Sequence, residues 1–95
     1  MEVHALQSDL NNSYGLDLPE TATIEMLERV LAERINTMIT ADFNRLISLL
    51  YRVDVSETKL KQLLRENAGT DAGLLIARLV LERQWQKIET RRKYR

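Results

Sequence analysis

Val3, Leu6, Leu10 and Tyr14 recur at intervals of three and four residues. That spacing aligns side chains along one face of a helix and predicts a helix over residues 2–14. Gly15 follows, a residue that enters the left-handed conformation without a Cβ penalty, so Leu16 is placed to fold back on Leu10. Asp17-Leu-Pro-Glu20 is the next start signal. Asp17 can accept from a first-turn amide, Glu20 can return the bond, and Pro19 sits where a missing N–H costs nothing. Starts at Pro19 or Thr21 fit equally well. Ile24, Leu27, Leu31, Ile35, Met38 and Ile39 then fall within an arc of about 120°. Met26 and Val30 lie on the opposite face. The second helix is therefore either packed on two sides or carries a second apolar patch for a partner.

Asp42 falls on the apolar stripe, which resumes at Leu46, Leu49, Leu50 and Val53. One reading is a single helix over residues 20–53. The other is a break, with Thr40 or Asp42 as a new N-cap. An unpaired carboxylate on a core face is costly to bury, which favours the break. Asp54-Val-Ser-Glu57 is another capping box, with Ser56 as the competing cap, and it opens a short helix carrying Leu60, Leu63 and Leu64. Gly69 marks its end in a left-handed position. Thr70 or Asp71 then caps a last helix running to about Lys93. From Ala72 to Leu81 that helix is apolar nearly all round, so Leu75, Ile76, Leu79 and Val80 are expected in the core. The fold class these elements define is an all-α bundle of four or five helices in one domain over residues 1–95, with residues 91–95 expected as a frayed basic tail.

Beyond Leu81 the faces of the last helix separate. Leu74, Ala77, Leu81, Trp85 and Ile88 continue an apolar stripe, while Arg83, Lys87 and Arg91 form a basic one. A helix of that length spans about 34 Å. A compact domain of this size is about 32 Å across. Leu81, Trp85 and Ile88 are therefore expected where the chain runs out of its own core, as a contact for a second copy. The competing expectation is that the first helix, through Val3, Leu6 and Leu10, folds back and covers them.

Composition narrows the chemistry. The chain has no cysteine and one histidine, His4. Disulfides, thiolate nucleophiles, zinc–thiolate sites and any histidine pair for a metal are thereby excluded, and Ser13, Ser48 and Ser56 have no base to activate them except His4. Glu25, Glu28 and Glu33 lack the Glu-x-x-His pattern of helical di-metal sites, and Gly69 and Gly73 flank no phosphate-loop pattern. No metal and no cofactor is expected. No segment is long and apolar enough to span a membrane. Glu2 and Asp9 stand where a secretory leader needs cations, and a cytoplasmic protein is expected.

Formal charge sums to zero but is unevenly spread. Residues 1–42 hold eight acids and two bases, and residues 43–95 hold six acids and twelve bases. Such a split predicts attraction between the halves, within one molecule or between two, or contact of the basic half with an acidic ligand. Arg83, Lys87, Arg91, Arg92 and Lys93 are the candidate phosphate contacts, with Tyr94 placed to stack on a base. A helix-turn-helix over residues 60–80 fits poorly, because Arg65 stands where that motif needs a small residue.

The strings DFNRLISLLYRVDVSETKL (42–60) and ARLVLERQWQK (77–87) resemble small uncharacterised bacterial open reading frames that are all-helical and have no assigned activity. The resemblance implies a helical bacterial domain and transfers no site residue. The expected function is a non-enzymatic protein–protein interaction domain, self-associating as a homodimer or binding another protein. Leu81, Trp85, Ile88, Met26 and Val30 are the candidate interface. The alternative is a nucleic-acid-binding accessory protein that uses the basic C-terminal helix.

Overall fold

A computed structural model describes residues 1–94. Among them the chain forms five helices and no strand: α1 (Val3–Tyr14), α2 (Ile24–Ala41), α3 (Phe43–Val53), α4 (Glu57–Glu66) and α5 (Ala72–Lys93). The all-α bundle expected from the pattern is the fold. α2 and α5 make the most extensive contact, and the other helices pack around that pair. α2 and α5 run antiparallel: Asn36 bonds Asp71 at 2.9 Å, and Glu28 pairs with Arg78 at 3.1 Å. The core between the helices is built from Leu6, Leu10, Leu27, Leu31, Ile35, Leu46, Val53, Val80 and Leu81, all 2% exposed or less. Ile76 and Val80 belong to that core, and Leu75 and Leu79 are buried outside it, so all four expected residues of the stretch are buried.

Each helix end follows from local chemistry. Gly15 takes φ 63° and donates its N–H to Asn11 O at 2.9 Å, closing α1. The expected start of α2 at Asp17, Pro19 or Thr21 is corrected to Thr23, whose hydroxyl accepts from Met26 N at 3.2 Å. The reason is the pair Leu16 and Leu18, both 3% exposed. Between them Asp17 takes the left-handed conformation at φ 53°, not the β-region backbone of an N-cap, so no helix starts there. Asn11 holds that backbone: its Oδ1 accepts from Leu18 N at 2.7 Å, and its Nδ2 donates to Leu18 O at 2.9 Å.

The break between α2 and α3 falls at Asp42. Its backbone leaves the helical region, and its side chain caps α3 by accepting from Arg45 N at 3.2 Å. Asp54 terminates α3 in the left-handed conformation at φ 67°, which leaves Ser56 to cap α4. Asp71 caps α5, accepting from Gly73 N and Leu74 N. α5 continues through Lys93, and Arg91 and Arg92, expected in a frayed tail, pair with Asp9 on α1 and Glu2 at its cap. Position 95 lies outside the described residues.

Candidate functional site

The C-terminal half of α5 was the expected contact surface, and α1 covers it. Leu81 is 2% exposed and Ile88 is 5% exposed, so both belong to the monomer's own core, and their assignment to an exposed interface is corrected. Trp85 is half-buried, packed against the core, with the Arg92 guanidinium 5.5 Å from its ring centre. The expectation failed on shape. The molecule measures 39 × 27 × 23 Å, so a helix of 22 residues, about 33 Å long, fits within its long axis. α1 lies antiparallel along that half, and Ala5 and Asp9 of α1 share a cavity wall with Ile88.

A chain of polar contacts fixes α1 there. Glu2 forms a two-pronged pair with Arg92, at 3.1 and 2.8 Å. Hydrogen bonding to Arg92, reinforced by its charge, lowers the pKa of Glu2, and the reciprocal bond raises that of Arg92. Asp9 accepts from Arg91 at 2.8 Å and from the buried Gln84 amide. Tyr14 donates to Gln84, and Lys87 donates to Tyr14 and to the carbonyl of Arg52, at 3.4 and 3.1 Å. The acidic and basic halves of the sequence therefore meet within one molecule.

These contacts also account for most of the expected phosphate ligands. Arg83 reaches Asp54 through both its carbonyl and its carboxylate, at 3.2 and 3.3 Å. Arg91 and Arg92 reach Asp9 and Glu2, and Lys87 is held by neutral acceptors. Lys93 has its ammonium 5.8 Å from the ring centre of Tyr94. Ser13, Tyr14, Arg83, Gln84, Lys87, Thr90 and Arg91 line one cavity of about 460 Å³. There the structure brings three of the expected cations, Arg83, Lys87 and Arg91, to a common wall.

The face left open is on α3. Phe43 is 56% exposed, Ile47 49% and Tyr51 86%. At 100° per residue these three and Leu50 fall within an arc of about 100°, directly beside the arc of Leu46, Leu49 and Val53. Together the two arcs make α3 apolar over about 200°, roughly three times the width of the inward set. Its polar side is turned to α1: Arg45 donates to Gly15 O at 3.3 Å and Arg52 to Ser13 O at 2.6 Å. Both carbonyls lie at the C-terminal end of α1, where cations complement the helix dipole. Of the α2 residues expected at an interface, Met26 is 47% exposed and Val30 is half-buried against the core.

Sequence reasoning assigned α3 only its inward stripe and passed over Phe43, Ile47 and Tyr51. The signal was present: they recur every fourth residue on a helix whose core face was already filled by Leu46, Leu49 and Val53. His4 is exposed near the N-terminus, and among the described residues no group of three or more His, Cys, Asp or Glu side chains is arranged to hold a metal ion. No family model, curated protein or solved structure matches this chain.

Proposed function

We propose that this chain is a non-enzymatic protein–protein interaction domain of the cytoplasm that binds through the apolar face of α3. The observation that carries the reading is that, of the six large apolar side chains exposed among the described residues, three, Phe43, Ile47 and Tyr51, share one helix face. Contiguous apolar patches of several hundred Å² on a folded monomer mark partner surfaces, and aromatic side chains contribute most at their centres. No described helix is long and apolar enough to cross a membrane, which accords with a partner met in water. The nucleic-acid alternative has weaker support: Arg83, Arg91 and Arg92 already reach carboxylates, and binding phosphate there would first break those pairs.

The test is site-specific photocrosslinking inside the expressing cell, with a photoreactive residue at position 47 or, as a control, at the exposed Glu33. Crosslinks to protein are expected at 47 and not at 33, and they should be lost when Phe43 and Tyr51 are both changed to Ser. Equal labelling at the two positions, or none at 47, overturns the reading.

A further inference from the structure

Resting on that reading, we propose that the occupant of the α3 face is a second copy of this chain, paired antiparallel about a two-fold axis beside Ile47. The open face is self-complementary. Phe43 and Tyr51 stand four residues either side of Ile47, so the rings lie about 6 Å along the helix in each direction. A two-fold axis at the centre places each Phe43 against the partner's Tyr51 and sets the two Ile47 side chains against each other. Residue i meets j and j meets i, which is what an isologous contact requires.

Charge permits this pairing. A two-fold axis brings a group near its own copy only where the group lies close to the axis, so a charge there would repel itself. The residues flanking the stripe are Asn44, Ser48 and Leu50, none of them charged. Arg45 and Arg52 are drawn away to the end of α1. The whole chain carries no net formal charge, and antiparallel helices oppose their macrodipoles favourably.

Area sets the strength. At their exposures, Phe43, Ile47 and Tyr51 offer on the order of 400 Å², against about 800 Å² per partner in a standard stable complex. The dimer is therefore weak and concentration-dependent, with a midpoint on the order of the micromolar-to-millimolar range.

The chain has no cysteine, so an introduced one is the only thiol. Under mild oxidation Ile47→Cys should give a disulfide-linked dimer. Phe43→Cys mixed with Tyr51→Cys should give the mixed dimer in excess over either variant alone, and Glu33→Cys should give neither. Sedimentation equilibrium of the unmodified protein across that range should show mass rising toward the dimer. Ile47→Glu should weaken association at least about tenfold with an unchanged helical circular dichroism spectrum. A wild type that stays monomeric, an Ile47→Glu variant that associates normally, or crosslinking through Glu33→Cys equal to that through Ile47→Cys overturns the pairing. If the purified protein is monomeric while photocrosslinks at position 47 reach other proteins, the self-pairing fails and the interaction reading stands. If neither is seen, both fail.

Discussion

Tyr14 on α1 donates its phenolic hydrogen to Oε1 of Gln84 on α5 at 2.8 Å, across 70 positions of sequence. Gln84 is 3% exposed, and its amide nitrogen donates to Asp9, also on α1. Both ends of a buried amide are therefore filled by the helix that covers it. A side chain that costs free energy when unpaired in the interior instead sets the register of α1 against α5. That register places Leu6 and Leu10 in the same core as Leu81 and Ile88. The divided charge of the sequence does related work at the surface, through the Glu2–Arg92 and Asp9–Arg91 pairs.

Tyr14→Phe removes the donor and leaves Gln84 Oε1 buried without it. Urea unfolding should show a loss of about 1–3 kcal/mol. Adding Gln84→Leu should cost much less in the Tyr14→Phe background than in the wild type, because the amide is by then already short of a partner; the coupling is expected at about 0.5–3 kcal/mol. Strict additivity would show that the two groups are not linked.

Leu81 and Ile47 separate core from contact. Leu81→Ala deletes a side chain that is 2% exposed and should cost about 2–5 kcal/mol, without changing self-association while the variant is folded. Ile47→Ala, at a site 49% exposed, should move stability by about 0.5 kcal/mol or less when measured well below the association range, and should weaken association. A reversal of these two patterns would place the contact on α5 after all.

How far the fold could be read from the sequence differed from element to element. α3, α4 and α5 were fixed by caps whose acceptors act within three residues, at Asp42, Ser56 and Asp71. The start of α2 was missed because its decisive interaction is non-local to the start signal: Asn11 grips the backbone of Leu18, and Asp17 takes the left-handed conformation instead of capping a helix. The contact surface was misplaced for a geometric reason. Periodicity shows that the stripe of Leu81, Trp85 and Ile88 is apolar, but only the docking of α1 decides whether it faces water. The 39 Å long axis gave α5 room that a sphere of equal volume would not. Phe43, Ile47 and Tyr51 were readable as a periodic set, yet their exposure follows from how α3 is rotated, with Arg45 and Arg52 anchored on α1.

Gly73 marks a close approach of α2 and α5. A Cβ at this position would stand 2.7 Å from the carbonyl oxygen of Ala32 and nearer still to the Asn36 side chain. Backbone cannot yield as a flexible side-chain end can, so the helices must separate. Gly73→Ala should destabilise by about 1–3 kcal/mol, the usual cost of overpacking, even though alanine is the better helix former. A rise in thermal midpoint would mean that the crossing has slack.

Asn36 also reaches Asp71, the cap of α5, and this contact carries a pH signature. The Asp71 carboxylate accepts from Asn36 Nδ2 at 2.9 Å and from the backbone N–H groups of Gly73 and Leu74 at 2.9 and 3.3 Å. The Asn36 bond is the largest cause lowering its pKa, and the two amides act in the same direction. A carboxylate with a folded pKa below its unfolded one stabilises the fold above the unfolded value, about 3.9 for aspartate. That contribution is lost as pH falls through the folded value, because the unfolded chain then binds the proton more readily. Glu2, lowered by Arg92, acts with the same sign from about 4.3 downward. Unfolding midpoints in urea should therefore drop as pH falls below about 4. Asp71→Asn keeps a good N-cap but carries no charge, so it should flatten part of that slope by lowering the midpoint at neutral pH toward its acid value. The direct measurement is an NMR titration of the Asp71 carboxyl carbon in wild type and Asn36→Ala. The wild-type midpoint should lie below the ordinary aspartate range, and the variant's should move back toward it. An identical midpoint in the two proteins would show that Asn36 does not hold the charge.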